Sequence, residues 1–198
     1  GCDLGLFNCT STREIPRDIK NIRGPIIGYI GALSSQRLNI DLLIEITSQM
    51  INCSFVFVGK EDSAFQNSIL HKFKNVFFLG LKSEDVLPDY LSCFDVAINP
   101  QVINDMTQGN YPRKIDEYLA MGKPVVATDT ITMRMFEGYA YLAKNAEEYI
   151  DYINIAILEN NASLKEKRIT FAHSHTWENC VNRIYNVGTD DARDAQKS

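Results

Sequence analysis

Short apolar runs alternate with amphipathic stretches along most of the chain. Ile26-Ile27-Gly28-Tyr29-Ile30, introduced by Pro25 and followed by Gly31, reads as a strand, and Ile40, Leu42, Leu43, Ile46 and Met50 recur at helical spacing after it. Ser54 to Val58 is a second buried strand closed by Gly59, with a helix expected over Ala64 to Phe73. The alternation continues through a strand at 75 to 80, a helix from Ser83 to Cys93 and a strand from Asp95 to Asn99. Pro88 lacks the amide an interior helical position needs, which moves the start of that helix to about Leu87.

Past the long polar loop up to Asn110, the best punctuated unit is Tyr111 to Asp129. Pro112 suits a first helical turn and Gly122 the position just past a helix end, which frames a helix over Arg113 to Met121. Ile115, Tyr118 and Leu119 form its apolar face, leaving Arg113, Lys114 and Glu117 on the flank. Val125 to Ala127 then reads as a strand covered on both faces. A short helix from Ile131 and a strand near Tyr139 to Ala143 follow, and from Asn145 the pattern is helical only, over 146–159, 163–172 and 176–186.

About six strands alternating with helices predict an α/β fold: a Rossmann-like, doubly wound parallel sheet with helices on both faces and extra C-terminal helices. Residues 1–24 read as a linker-like lead, 25–187 as the domain and 188–198 as a flexible tail. The opening, with glycine first, reads as the middle of a longer chain. In such sheets ligands sit at the carboxyl ends of the strands, which selects the loops after Ile30, Val58, Leu79, Asn99 and Ala127.

Composition changes this picture little. The 198 residues are 45% hydrophobic and 23% charged, and a net charge of −5 argues against a general binder of nucleic acid or anionic membrane. No apolar run approaches the roughly 18 residues of a membrane span, and the expected location is cytoplasmic. The five cysteines have no metal spacing and read as reduced thiols. His71, His173 and His175 form no ligand set, and no metal or cofactor is expected.

Gly31 permits a tight turn after the first strand, and Arg37 and Lys60 lie at the same rim, where two cations suit a diphosphate as well as solvent. Gly80 and Leu81 offer backbone groups to a flat base. Asn110 and Tyr111 precede a helix N-terminus whose amides favour an anion. Glu117, four residues from Arg113, suits either a surface ion pair or the two hydroxyls of a ribose.

The order GCDLGLFN, GYIGAL, FVFVG, NVFFLG, LPDYLSCFDVAINP, PRKIDEYLAMGKPVVATD and SHTWENCVNRIY resembles the C-terminal, donor-binding half of GT-B glycosyltransferases of the family 4, or group 1, type. The resemblance implies a domain that binds a nucleoside diphosphate sugar for retaining transfer to a hydroxyl acceptor, commonly in surface polysaccharide synthesis. It implies a ribose-binding role for Glu117, the second glutamate of the family's E-x7-E motif, and diphosphate binding by Arg37. It implies base contact near Gly80 and Leu81, and phosphate and sugar contact around Asn110, Tyr111 and Lys114. Acceptor, membrane surface and any catalytic histidine would be met through an N-terminal half absent from this chain, so the fragment is expected to bind donor without transferring it.

Two positions depart from the pattern. Gly109 stands where the first glutamate belongs, and Ala32 where an arginine usually follows the loop glycine. Asp105, the long loop's only carboxylate, is a poor substitute for that glutamate, and no catalytic residue is assigned. A nucleotide-sugar epimerase of GT-B form and a non-catalytic nucleotide-binding module are the rival readings.

Overall fold

The computed structural model describes residues 5–8, 13–109 and 111–174. Its centre is a parallel sheet of β1 (Ile26–Ile30), β2 (Ser54–Val58), β3 (Val76–Gly80), β4 (Val96–Asn99), β5 (Val125–Thr128) and β6 (Tyr141–Ala143), in the spatial order β3-β2-β1-β4-β5-β6. The chain winds outward from β1 in one direction and then returns to β4 and winds outward in the other. The order therefore reverses between β1 and β4, and their carboxyl ends diverge into a crevice. Register is direct: Ile27 stands opposite Phe55 on one side and Val96 on the other.

Because helices cover both faces, β1, β2, β4 and β5 are buried along their whole lengths. On one face α1 (Ile40–Gln49) and α6 (Ala146–Glu159) bring Leu43, Ile46, Tyr149 and Ile153 against Ile27, Phe55 and Phe57. On the other, α3 (Leu87–Ser92), α5 (Arg113–Ala120) and α7 (Ala162–Ser174) bring Leu91, Ile115, Tyr118, Leu119 and Ala172 against Ile26, Val56 and Val125. Each fully buried leucine or isoleucine contributes roughly 1.5–3 kcal/mol of transfer free energy.

The expected helix over Ala64 to Phe73 is instead a short α2 (Ser63–Gln66) and a separate 3-10 turn, Ile69–Lys72. Ser68 interrupts it, its hydroxyl accepting the Leu70 amide at 3.2 Å in extended conformation. The helix predicted near Leu87 starts there, after a 3-10 turn at Glu84–Val86. Within the long loop lies α4 (Asp105–Gly109), nucleated by reciprocal bonds between Asn104 and Thr107. Ile131 begins no α-helix; Thr132–Phe136 is a 3-10 turn.

The lead is packed rather than loose in its described part. Phe7 and Ile19 are buried in the core under α3 and α5. The third C-terminal helix, at 176–186, and the tail lie outside the described residues. Among the described residues no helix is long and apolar enough to cross a membrane, and Cys53 and Cys93 are free thiols.

Candidate functional site

Two glycines set the rim of the sheet. A Cβ on Gly59 would lie 1.8 Å from the Gly31 carbonyl oxygen, and Gly31 itself has φ +140°. The loop after β1 therefore crosses β2 at a distance no other residue permits. The Gly31 amide donates to Val58 O at 2.9 Å, and the Gly59 amide to Gly80 O at 2.9 Å, so the three strand ends are tied edge to edge.

Above this rim two hollows flank the first turn of α5, and Arg113 and Lys114 line both. The first, about 410 Å³, is bounded by Leu6, Phe7, Gly31, Leu87 and Glu117. The second, about 190 Å³, lies over the β1–β4 crevice and is lined by Tyr29, Arg37, Asn99, Gln101, Thr107 and Tyr111 among others. α5 follows Pro112 with no side-chain cap; the Arg113 and Ile115 amides donate to the carbonyls of Tyr111 and Pro112 at 3.0 and 2.9 Å, and the positive dipole end of the helix lies between the two hollows that Arg113 and Lys114 line. The Lys114 ammonium donates to the Tyr29 hydroxyl and sits 4.1 Å from the centre of its ring, a contact that fixes a long, flexible side chain at this junction.

Glu117 is half-buried at the edge of the larger hollow. Burial pushes its carboxyl above the ordinary value, and the charges of Lys114 and Arg113 offset this only in part. Among the described residues no ion pair engages Glu117, so the surface pairing with Arg113 that the spacing allowed is not among them. A desolvated carboxylate beside two cations, with its oxygens uncommitted, is suited to accept paired hydroxyl groups.

The smaller hollow is cationic. Arg37, Arg113 and Lys114 contribute three positive charges and none of its lining residues is acidic. Arg37 reaches it from a loop rather than from a helix end, because α1 is capped by its own Asn39, whose side chain accepts the Leu42 amide. That loop is held from two sides: Asp62 accepts the amide and hydroxyl of Ser35 at 2.7 and 2.9 Å, and the Arg37 carbonyl accepts the Val102 amide at 2.9 Å. Backbone donation from Phe65, more than any other contact, holds the Asp62 carboxyl below its usual range. Deep in the hollow, Asn99 is 1% exposed with its Nδ2 unpaired, and Gln101 has an unpaired buried Oε1. Buried polar atoms left without partners await water or ligand.

Of the residues anticipated from sequence, Gly31, Arg37, Tyr111, Lys114 and Glu117 line one or both hollows. Lys60 lies outside both linings; its carbonyl accepts the Leu33 amide at 2.9 Å and its side chain is exposed. The Gly80 carbonyl is spent on Gly59, and Leu81 is 74% exposed. Asp105 begins α4 on an exposed surface, outside both linings. Asn110 falls outside the described residues. Periodicity missed Asp116, which is buried beside Glu117 and accepts the Tyr111 hydroxyl at 2.6 Å. Burial raises its pKa to about 6 although Tyr111 favours the ionised form. Among the described residues no group of three or more His, Cys, Asp or Glu is placed to hold a metal ion.

A β3-β2-β1-β4-β5-β6 parallel sheet with this crevice is a Rossmann-like α/β domain. The chain belongs to the glycosyl transferases group 1 family, whose model matches residues 24–159. It is 28% identical over 192 residues to TuaH of Bacillus subtilis (strain 168), named as a teichuronic acid biosynthesis glycosyltransferase; the match covers 92% of this chain and 47% of TuaH. The chain thus spans about half the length of that relative. Its fold superposes on Anabaena Alr3699/HepE, solved with UDP and glucose, with a TM-score of 0.71 at 20% identity, over 96% of this chain and 55% of that one. Sucrose-phosphate synthase of Thermosynechococcus elongatus gives 0.72 at 17% identity, over 96% and 51%. The C-terminal domain of the group 1 protein LpcC from Francisella tularensis gives 0.64 at 18%, over 88% and 95%.

Proposed function

We propose that this domain binds the nucleoside diphosphate sugar donor of a retaining glycosyltransferase that extends a surface polysaccharide. The observation that carries the reading is Glu117, a half-buried carboxylate in no ion pair among the described residues, near a helix N-terminus without a side-chain cap and two cations. In this arrangement the Glu117 carboxylate accepts the ribose hydroxyls in the larger hollow. Lys114, Arg113, Arg37 and the positive dipole end of α5 meet the diphosphate, and the smaller hollow receives the sugar, with Asn99 and Gln101 as hydrogen-bonding partners for its hydroxyls.

The chemistry required of these residues is electrostatic. As the glycosidic bond to the diphosphate breaks, negative charge accumulates on the leaving phosphate, and preoriented cations and the dipole of α5 stabilise it more than they stabilise the ground state. Acceptor binding belongs to the other half of the enzyme. The UDP complexes of HepE and the biosynthetic role in the name of TuaH support this donor class and this setting.

Calorimetric titration with UDP, GDP and ADP tests the reading. Saturable binding of at least one is expected, and failure of all three at millimolar concentration overturns it.

A further inference from the structure

The lead segment before the sheet supplies a wall of the larger hollow. Leu6 and Phe7 line it with Glu117, together with Glu84 from the 3-10 turn before α3 and Leu87 at the start of α3. Phe7 is 6% exposed and belongs to the core beneath α3 and α5, whereas Leu6 is only half-buried and faces the opening. Neither residue belongs to a strand or helix, so something other than secondary structure must hold this wall in place.

Arg13 does so. Its Nη2 donates to the carbonyl of Leu6 at 2.8 Å and to that of Asn8 at 3.0 Å, gathering the backbone on both sides of Phe7. Its Nη1 pairs with Asp89 Oδ1 on α3 at 3.3 Å, and the two side chains are only 12% and 26% exposed. The planar fork of a guanidinium can meet all three acceptors at once; a lysine ammonium at the end of a flexible stem cannot reproduce that geometry. A second tie lies nearby, where Asp18 accepts from Lys82 at 2.7 Å and from the Tyr90 hydroxyl at 2.8 Å. Both ties fasten the lead to α3, and the one made by Arg13 touches the lining residue Leu6.

We infer that Arg13, braced by Asp89, is a positioning residue for nucleoside binding: it holds Leu6 and Phe7 as the apolar wall that faces the base and ribose across from Glu117. The inference rests on the donor-binding reading above and adds to it a part of the chain that precedes the nucleotide-binding fold. It also has a mechanical consequence. Displacing the lead widens the nucleoside hollow while leaving the cationic junction at Lys114 and Arg113 intact.

The variants Arg13→Ala, Arg13→Lys and Asp89→Asn, titrated with UDP and separately with inorganic pyrophosphate, test this at a temperature well below unfolding. UDP affinity is expected to fall about tenfold in Arg13→Ala and by a smaller factor in Arg13→Lys and Asp89→Asn. Pyrophosphate affinity is expected to stay within about twofold of wild type. Asp89→Asn keeps the size and most of the hydrogen bonding of the brace, so it remains informative where Arg13→Ala fails to fold. UDP affinity unchanged across the folded variants, or UDP and pyrophosphate weakened by the same factor, overturns the positioning role. A wild-type protein that binds pyrophosphate but no UDP, GDP or ADP fails at the earlier step, the donor-binding reading itself.

Discussion

The hydroxyl of Tyr118 accepts the backbone amide of Ile30 at 2.9 Å and donates to the carbonyl of the same residue at 3.3 Å. A side chain from α5 thus occupies both hydrogen-bonding groups at the last residue of β1. This double contact fixes α5 against the strand that leads into Gly31, and Glu117, one residue earlier, is placed by it. Tyr118→Phe leaves a buried amide without its acceptor, and the expected cost is about 1–3 kcal/mol in urea unfolding. UDP binding should weaken severalfold in the same variant, because the helix that carries Glu117, Lys114 and Arg113 loses its anchor to the rim.

Replacing Glu117 itself separates the two halves of a nucleoside diphosphate. Glu117→Ala is expected to weaken UDP by roughly 10- to 100-fold, the loss of one or two charge-assisted hydrogen bonds, while inorganic pyrophosphate binds nearly as before. The pH dependence has a definite sign. Burial raises the Glu117 pKa, so the ionised, hydroxyl-accepting form disappears on acidification at a higher pH than for an ordinary glutamate. Wild-type UDP affinity should fall as pH drops toward that raised value, and Glu117→Gln should flatten the profile. Equal losses of UDP and pyrophosphate would remove the ribose role.

Asp116 predicts a stability effect of the opposite kind. Its pKa rises from 3.8 unfolded to about 6 folded, so the native state binds more protons between those values and stability falls as pH rises through this window. The contribution is fully present below the unfolded value and lost above the folded one, on the order of 3 kcal/mol. Asp116→Asn removes the cost of burying the charge and should be more stable than wild type at pH 8, with a smaller difference between pH 4 and pH 8. Urea unfolding at the two pH values measures this, and an unchanged pH slope would contradict it.

The alternation of apolar runs made the sheet and its helices legible, since a strand buried on both faces must be nearly all apolar, as in Val125 to Ala127. The same logic hid Asp116. A carboxyl group inside a helix is read as surface, and the Tyr111 hydroxyl, brought over by the turn before α5, donates to it in its buried position. Asn99 reads as the polar end of a strand, yet it lies 1% exposed because the crevice between β1 and β4 folds over it. Lys60 follows the interlock of Gly59 with Gly31; its carbonyl accepts the Leu33 amide, and its exposed side chain lies outside the linings of both hollows. The role of the lead was invisible, since nothing in its composition shows that Arg13 reaches back to Leu6 and Asn8.

The paired amides at the floor of the smaller hollow give the last test. Asn99 offers an unpaired donor and Gln101 an unpaired acceptor, in a space of about 190 Å³ that lies past the cationic junction from Glu117. On the proposed donor reading, a sugar attached to the diphosphate would occupy that space and meet both atoms, and a free diphosphate would not. The wild-type protein should therefore bind its nucleotide sugar more tightly than the bare nucleoside diphosphate. Asn99→Ala should remove most of that difference, worth about 1–3 kcal/mol for a buried polar atom newly satisfied, and leave the affinity for the diphosphate itself nearly unchanged. Comparative calorimetry with UDP and UDP-glucose, repeated with the sugar nucleotides of whichever base binds, measures the increment directly. A sugar-dependent increment that survives Asn99→Ala and Gln101→Ala together would place the sugar elsewhere. The cationic junction would then be acting as a phosphate site alone, with Asn99 and Gln101 satisfied by water.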